Sequence, residues 1–414
     1  MRIFWEKAKP YLIVFGFIAV VLGLGFLIYW FFFAPTGGPV NGNINGGGGV
    51  FPRANDNSDI PVINGGDQFP NSNEIGRANE NINAEANLNA VITQQVPIAT
   101  STAPVLGGGA SSDGGFVYYD KNTDKFYKTD DSGLRKALSD QEFPDAENVV
   151  ISPGADKAIV QFPDGSNIAY DFNKQQQYTL PKEGKDFSFN SSGDQIAYKF
   201  MAPDPESRYL VSSGFDGSDF KLIEPLGYED RDVQVNWSPT GQVAALFRKG
   251  IDADRQEVYF IGTQGENFRS MITPGRDFKG EWSPQGDRLL FSVYTPEADY
   301  KPTLWIVEAQ GDRIGFNRKD LGVQTWVDKC TFDDGGTTAY CAVPRELPKG
   351  SGLVRELADK VPDDLYKIDL RTGFKTQVQG VVGRFTADKV FLSDDEKSLY
   401  YTDKKTGFAY KVKL

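Results

Sequence analysis

From residue 111 onward the sequence returns seven times to one kind of short turn, and this repetition limits its folds more than anything else in it. The fullest unit is Gly280-Glu281-Trp282-Ser283-Pro284-Gln285-Gly286, followed by the apolar run Leu289 to Phe291. Proline pre-sets φ at one turn position and glycine supplies a positive φ at another, so two short runs fold back as an antiparallel hairpin. Close copies are Asn236-Trp237-Ser238-Pro239-Thr240-Gly241 before Val243 to Phe247, and Asn190-Ser191-Ser192-Gly193 before Ile196 to Phe200. Looser ones begin at Ser111, Ser152, Asp333 and Ser393. With residues 111, 152, 191, 238, 283, 333 and 393 taken as equivalent, the intervals run from 39 to 60 residues, near the roughly 40–45 of a four-stranded propeller blade. One such sheet cannot bury both faces, so copies must pack on each other and close radially. The expected fold is therefore all-β, a propeller of seven four-stranded antiparallel blades. Six result if 116–142 and 381–414 merge into one.

The Trp-Ser-Pro-x-Gly turn followed by an apolar strand, kept best at 237–241 and 282–286, resembles the WD40-like (PD40) repeat of the TolB-type β-propellers, over about residues 90 to 414. The resemblance implies a propeller that most often binds other macromolecules. Some members of that family precede or carry enzymatic activity, and fold alone does not choose between these.

Charge and composition narrow the chemistry. Lys plus Arg number 44 against 56 Asp plus Glu, a net charge of −12, which argues against a nucleic-acid groove. Histidine is absent. The commonest general base and metal ligand is thus missing, and no Ser-His-Asp or Cys-His arrangement can be drawn.

The chain divides into a cytoplasmic N-terminus (1–10), a transmembrane helix (11–33), a flexible Gly- and Asn-rich linker (34–88) and the propeller (89–414). Residues 11–33 carry no charge and are long enough to cross about 30 Å of hydrocarbon. Arg2, Lys7 and Lys9 precede them and no Lys or Arg follows until Arg53, which puts the N-terminus inside and the bulk of the chain outside. Phe32-Phe33-Ala34-Pro35 offers no small-x-small cleavage site, so an uncleaved anchor is expected. The linker is too poor in apolar residues to fold. Ala90 to Val96 regains strand character, while Val390 to Leu414 supplies only three strands. Residues near 90–98 are therefore expected to complete the last blade.

Cys330 and Cys341 flank the turn at Asp334-Gly335-Gly336-Thr337. Counting outward from that turn places them opposite each other on one hairpin face, and a structural disulfide is favoured over two free buried thiols. The Ser-Pro-x-Gly turns join the first and second strands of each blade and emerge on one side of the disc. The second-to-third connections and the links between blades emerge on the other, and there the loop lengths vary. A rigid scaffold displays a binding surface in that way. Its candidate residues are Asp204, Glu206, Tyr228, Asp252, Asp254, Arg255, Glu297, Tyr300, Arg345 and Arg355. Within the longest insertion, apolar residues at 353, 354, 357 and 361 suit a short amphipathic helix packed on its own blade. Asp252-x-Asp254 and Asp363-Asp364 lack the ligand count of a calcium loop, so no metal and no cofactor is expected. The triplet Asn236-Trp237-Ser238 belongs to the repeat rather than to glycosylation. The aromatics Tyr119, Phe162, Phe200, Phe247, Phe291 and Tyr401 are expected in the core between blades.

These features lead to one expectation: a membrane-anchored, non-catalytic propeller outside the cytoplasm of a bacterial cell that holds an envelope protein or peptide. The alternative is a propeller that binds or cleaves polysaccharide.

Overall fold

A computed structural model describes residues 96–414 apart from 379, 380, 382 and 383. The apolar stretch 11–33 and the linker 34–88 lie outside the described residues. No helix among the described residues is long and apolar enough to cross a membrane.

Seven four-stranded antiparallel sheets follow one another along the chain. Blades 1 to 6 occupy residues 105–137, 148–180, 184–225, 233–273, 276–320 and 330–377, and in each the first strand is innermost and the fourth outermost. Blade 7 takes three strands from the C-terminal end, Ala387–Leu392, Ser398–Asp403 and Ala409–Lys413. Its outermost strand is Ile98–Ala99, from the other end of the domain. This closing strand has only two residues and sits at the C-terminal limit of the expected 90–98. Ile98 faces Lys411 and Ala99 faces Tyr410. Around it, Ala409 N–H donates to Ser101 Oγ at 2.9 Å, and Tyr400 Oη donates to the Gly114 carbonyl of blade 1 at 3.0 Å. Antiparallel pairing makes the chain enter at Ile98 from the side of the disc that carries the Ser-Pro-x-Gly turns.

Those turns share one bonding scheme. The fourth residue donates its N–H to the carbonyl of the first in all seven: Gly114 to Ser111, Ala155 to Ser152, Gly193 to Asn190, Gly241 to Ser238, Gly286 to Ser283, Gly336 to Asp333 and Glu396 to Ser393. Each fourth residue has positive φ, which is why glycine recurs there. In six of them the first side chain then accepts the N–H five residues on, as Ser238 does from Val243 at 3.0 Å and Ser283 from Arg288 at 3.1 Å, whereas the turn at Ser111 is one residue shorter and its hydroxyl donates to Asp113. Asn190, not Ser191, does the same for Gln195, so the third copy is displaced by one from its sequence alignment. Ser, Asn and Asp are interchangeable here because each offers a short side-chain acceptor.

Seven apolar clusters lie between the blades, one for each neighbouring pair. Tyr119 and Phe162 join the cluster of blades 1 and 2, Phe200 that of 2 and 3, Phe247 that of 3 and 4, Phe291 that of 4 and 5, and Tyr401 that of 6 and 7. Blade 7 meets blade 1 through Phe116 and Tyr400, stacked at 4.9 Å between ring centroids. Cys330 and Cys341 are paired in register, their Cα atoms 4.1 Å apart, and are joined by a disulfide inside the cluster of blades 5 and 6.

Neighbouring turns also touch. A side chain at Gly286 would meet the Thr240 backbone nitrogen at 3.2 Å and its methyl at 2.8 Å, from a residue at φ +69°. Gly286→Val therefore combines backbone strain with a clash between blades 4 and 5, and should lower unfolding free energy by about 2 kcal/mol or more. Gly241→Val, whose Cβ meets nothing, should lose less; urea titration of both variants measures the difference.

Candidate functional site: the variable face

The loops opposite the Ser-Pro-x-Gly turns differ from blade to blade. In blades 1, 2 and 7 the second and third strands are joined by four or five residues, whereas in blade 6 they are separated by the insertion between Pro344 and Asp363. That insertion is pinned on three sides. Gly350 and Gly352 donate N–H groups to the Asp299 and Tyr300 carbonyls of blade 5 at 2.9 and 2.7 Å. Arg355 grips Asp328 with both terminal nitrogens and lies over the Trp326 ring, 4.9 Å from its centroid. At the far end, Val361 O accepts from Thr386 Oγ1 at 2.9 Å, and Lys404 of blade 7 pairs with Asp359. Trp326, Leu347, Ala358 and Val361 form a small apolar cluster beneath.

The expected amphipathic helix is not formed. A single 3₁₀ turn, Arg355–Ala358, takes its place, and Leu353, Val354 and Leu357 remain exposed. The tethers at Gly350, Gly352 and Arg355 hold the backbone against blades 5 and 6, leaving too few free residues to propagate an α-helix.

Beneath the insertion lies a fully buried ion pair. Lys329 Nζ donates to both carboxylate oxygens of Asp363 at 2.7 Å, and Asp363 also accepts the Ala387 N–H of blade 7 at 2.7 Å. Burial opposes both charges, pulling Lys329 down and pushing Asp363 up, while each partner's charge works the other way. Asp363 is thus a joint between blades 6 and 7, and the neighbouring Asp364 points outward to Arg345 at 2.9 Å.

A cleft of about 1320 Å³ opens on this side between blades 5 and 6, lined by Thr295, Glu297, Trp305, Arg345, Asp364 and Tyr366 among others. It exists because the outer strand of blade 5 is cut to two residues, Lys319–Asp320. Lys375 closes one wall by donating to the Gly322 carbonyl at 2.7 Å. Trp305 and Tyr366 are half-buried.

Of the residues expected on the binding face, the cleft brings together Glu297 and Arg345. Tyr300 is half-buried beside it at φ +54°, tilted against Tyr294 at 6.3 Å. Arg355 is committed to Asp328 and Trp326. The others stand over blades 3 and 4. Asp204 caps the 3₁₀ turn Pro205–Ser207 through the Glu206 N–H, Asp252 pairs with Arg255 at 2.7 Å, and Asp254 is exposed. Tyr228 is 82% exposed, held out by the buried Leu226 two residues before it. Around them the exposed Glu206, Glu229 and Asp254 have no ion-pair partner among the described residues, and neither have the exposed Lys185, Arg231 and Lys249, so this part of the face carries both signs of charge. Of the two acidic strings, Asp252 pairs with Arg255 and Asp363 with Lys329. Asn236 is half-buried and donates to the Gly280 carbonyl at 2.6 Å, a link between blades.

Sequence reading missed Glu281. It extends from the innermost strand of blade 5 opposite to Trp282, open to water but enclosed by the inner strands, and its carboxyl is pushed up to about 7. Lys389 and Asp328 act on it more weakly, in opposite senses. Glu224, half-buried on the outer strand of blade 3, is pushed up to about 7 by burial as well. Position within a repeat was the available signal, but it says nothing of how closely seven inner strands approach.

No protein-family model matches the sequence, and no curated protein matches it. Solved structures do resemble the fold. Hydrazine synthase of Kuenenia stuttgartiensis is 13% identical with a TM-score of 0.53, over 76% of this chain and 97% of that one. The β-propeller domain of Myceliophteria thermophila Cps50 (Swd1) is 11% identical with a TM-score of 0.50, over 77% of this chain and 99% of that one. An oligogalacturonate lyase aligns at 12% identity and a TM-score of 0.47, over 74% of this chain and 87% of that one. At these identities the likeness is to the seven-bladed propeller alone.

Two outcomes follow from the charges. Asp363→Ala leaves Lys329 buried without a partner and should cost about 3–5 kcal/mol, while Asp364→Ala should cost less than about 1 kcal/mol; urea denaturation compares them. For Glu281 and Glu224 the folded state holds protons that the unfolded state has released, between the ordinary glutamate range and about 7. Stability should therefore fall as pH rises through that window, and Glu281→Gln with Glu224→Gln should flatten the slope of the urea midpoint against pH.

Proposed function

We propose that this chain is a membrane-anchored, non-catalytic scaffold whose propeller holds a protein or peptide of the cell envelope on its variable face. The observation that supports it most is the cleft between blades 5 and 6. It lies on the face where loop length varies, it joins half-buried aromatic side chains to charged ones, and at about 1320 Å³ it exceeds the roughly 300–1,000 Å³ of small-molecule pockets. An elongated segment of polypeptide suits such an open cleft. The anchor rests on residues 11–33 and the flanking charges, with the propeller outside the cytoplasm. The turns support a TolB-like, WD40-like reading of the repeat.

A second reading has one observation in its favour. Trp305 and Tyr366 share the cleft with the carboxylates of Glu297, Asp320 and Asp364, a combination that also suits a polysaccharide, bound or cleaved.

Mild crosslinking of the full chain in envelope membranes, followed by purification and mass spectrometry, tests the scaffold. One stoichiometric envelope protein should be recovered, and Glu297→Lys with Arg345→Glu, both exposed in the cleft, should reduce it at least tenfold without changing the urea midpoint. Recovery unchanged by these substitutions counts against the cleft. Turnover of a defined polysaccharide, lost with Glu297→Gln, would replace the scaffold reading by the second one.

A further inference from the structure

Lys329 and Asp363 are the most deeply buried pair of opposite charges among the described residues, with side chains 3 and 0% exposed. Lys329 ends the 3₁₀ turn Val327–Lys329 that leads into the innermost strand of blade 6. Asp363 opens the third strand, Asp363–Asp369, so the two side chains meet across the strand between them. Lys329 Nζ lies 2.7 Å from both carboxyl oxygens of Asp363. That sets the nitrogen roughly 3 Å from the carboxyl carbon, the separation of reacting atoms held for attack. Oδ2 alone also accepts the Ala387 N–H, at 2.7 Å. Burial favours the uncharged form of each group, against the attraction between them. Arg355 near Lys329 and Asp364 near Asp363 act in the same senses as burial, and Asp328 opposes them most weakly. The uncharged forms are an amine nucleophile and a carboxylic acid. A void of about 10 Å³, bordered by Lys329, Trp326, Thr386 and Ala387, lies beside them. This is about the room that one water needs.

We infer that Lys329 and Asp363 condense to a side-chain amide, an isopeptide cross-link within blade 6. The lone pair of Nζ attacks Asp363 Cγ to form the Nζ–Cγ bond, and the Cγ–Oδ1 bond breaks with its electrons leaving on oxygen. Of the three ammonium protons, one stays on the amide nitrogen and two pass to Oδ1, which departs as water into the void. Oδ2 remains as the amide carbonyl, and the Ala387 N–H meets the negative charge that develops on it. No oxidant, metal or co-reactant enters the balance. Asp328 and Asp364 are occupied by Arg355 and Arg345, so the protons pass directly between Nζ and Oδ1, which are already in contact. The bond needs the folded blade, because its two residues are 34 positions apart. With the disulfide at the neighbouring Cys330, it ties the innermost strand of blade 6 to both of the next two strands and clamps the base of the insertion.

Mass spectrometry of the full chain, purified in neutral detergent and with its disulfide reduced, tests this. The wild-type chain should be lighter than its sequence by one water, and trypsin should fail to cut after Lys329. Peptides 320–345 and 361–367 should be recovered joined through the two side chains. K329R keeps a cation against Asp363 but offers no amine, so it should show the full sequence mass, as should D363A. If either variant fails to fold, the wild-type fragment spectrum decides by itself. The full sequence mass in the wild type, with trypsin cutting after Lys329, overturns the inference. So does a loss of water confined to peptide 320–345, which a succinimide at Asp334-Gly335 would produce.

Discussion

Each blade buries its faces only against its neighbours, and this mutual dependence governs the rest of the molecule. A twisted sheet of four strands leaves two apolar surfaces uncovered, and seven clusters between blades are the result of covering both sides of all seven. A linear stack would leave two of these faces in water, at roughly 25 cal/mol for each Å² of apolar area. Closure through Ile98–Ala99 removes that loss. Phe116 and Tyr400 can then stack like the aromatic pairs of interior blades.

A ring built this way is stiff, and the variable face inherits its stiffness. The blade 6 insertion has only a small apolar cluster of its own, yet it is fixed at both ends by hydrogen bonds to adjacent blades and in the middle by Arg355 on Asp328 and Trp326. Lys329 and Asp363 lie beneath, linked to blade 7 through Ala387. Such a pair contributes little net stability compared with apolar residues of the same volume, but it punishes any arrangement that separates its members. Its value is positional. The insertion, the cleft wall at Arg345 and the loops of blade 7 hold one relative placement, so any ligand on this face would bind exposed side chains with little ordering cost.

The fold was legible because its signal is repeated. A Ser-Pro-x-Gly turn alone is weak, but seven in phase specify hairpins and blades and favour seven blades over six, and the shortage of one strand at the C-terminal end pointed to closure. The hairpin count also placed Cys330 opposite Cys341. Where a backbone acceptor can be supplied by Ser, Asn or Asp, the register blurred, and Asn190 was passed over for Ser191. The site was much less legible. Exposed loops were identified as a group, but their partners were not. Asp252 and Arg255 neutralise each other, Arg355 is taken by a residue 27 positions away, and Leu353, Val354 and Leu357 read as a buried helical stripe although they face water. Periodicity reports the face that a helix would present. It cannot report that three tethers prevent the helix.

Closure by a two-residue strand also bears on the order in which the molecule assembles. Contacts inside blades 1 to 6 join residues close in sequence, and each of these sheets can form as its own stretch of chain becomes available. Ser101 and Ala409, by contrast, are 308 residues apart, and bringing such distant points together costs roughly 5 kcal/mol in loop entropy before any contact repays it. The seam at blade 7 is accordingly expected to close after blades 1 to 6 have formed.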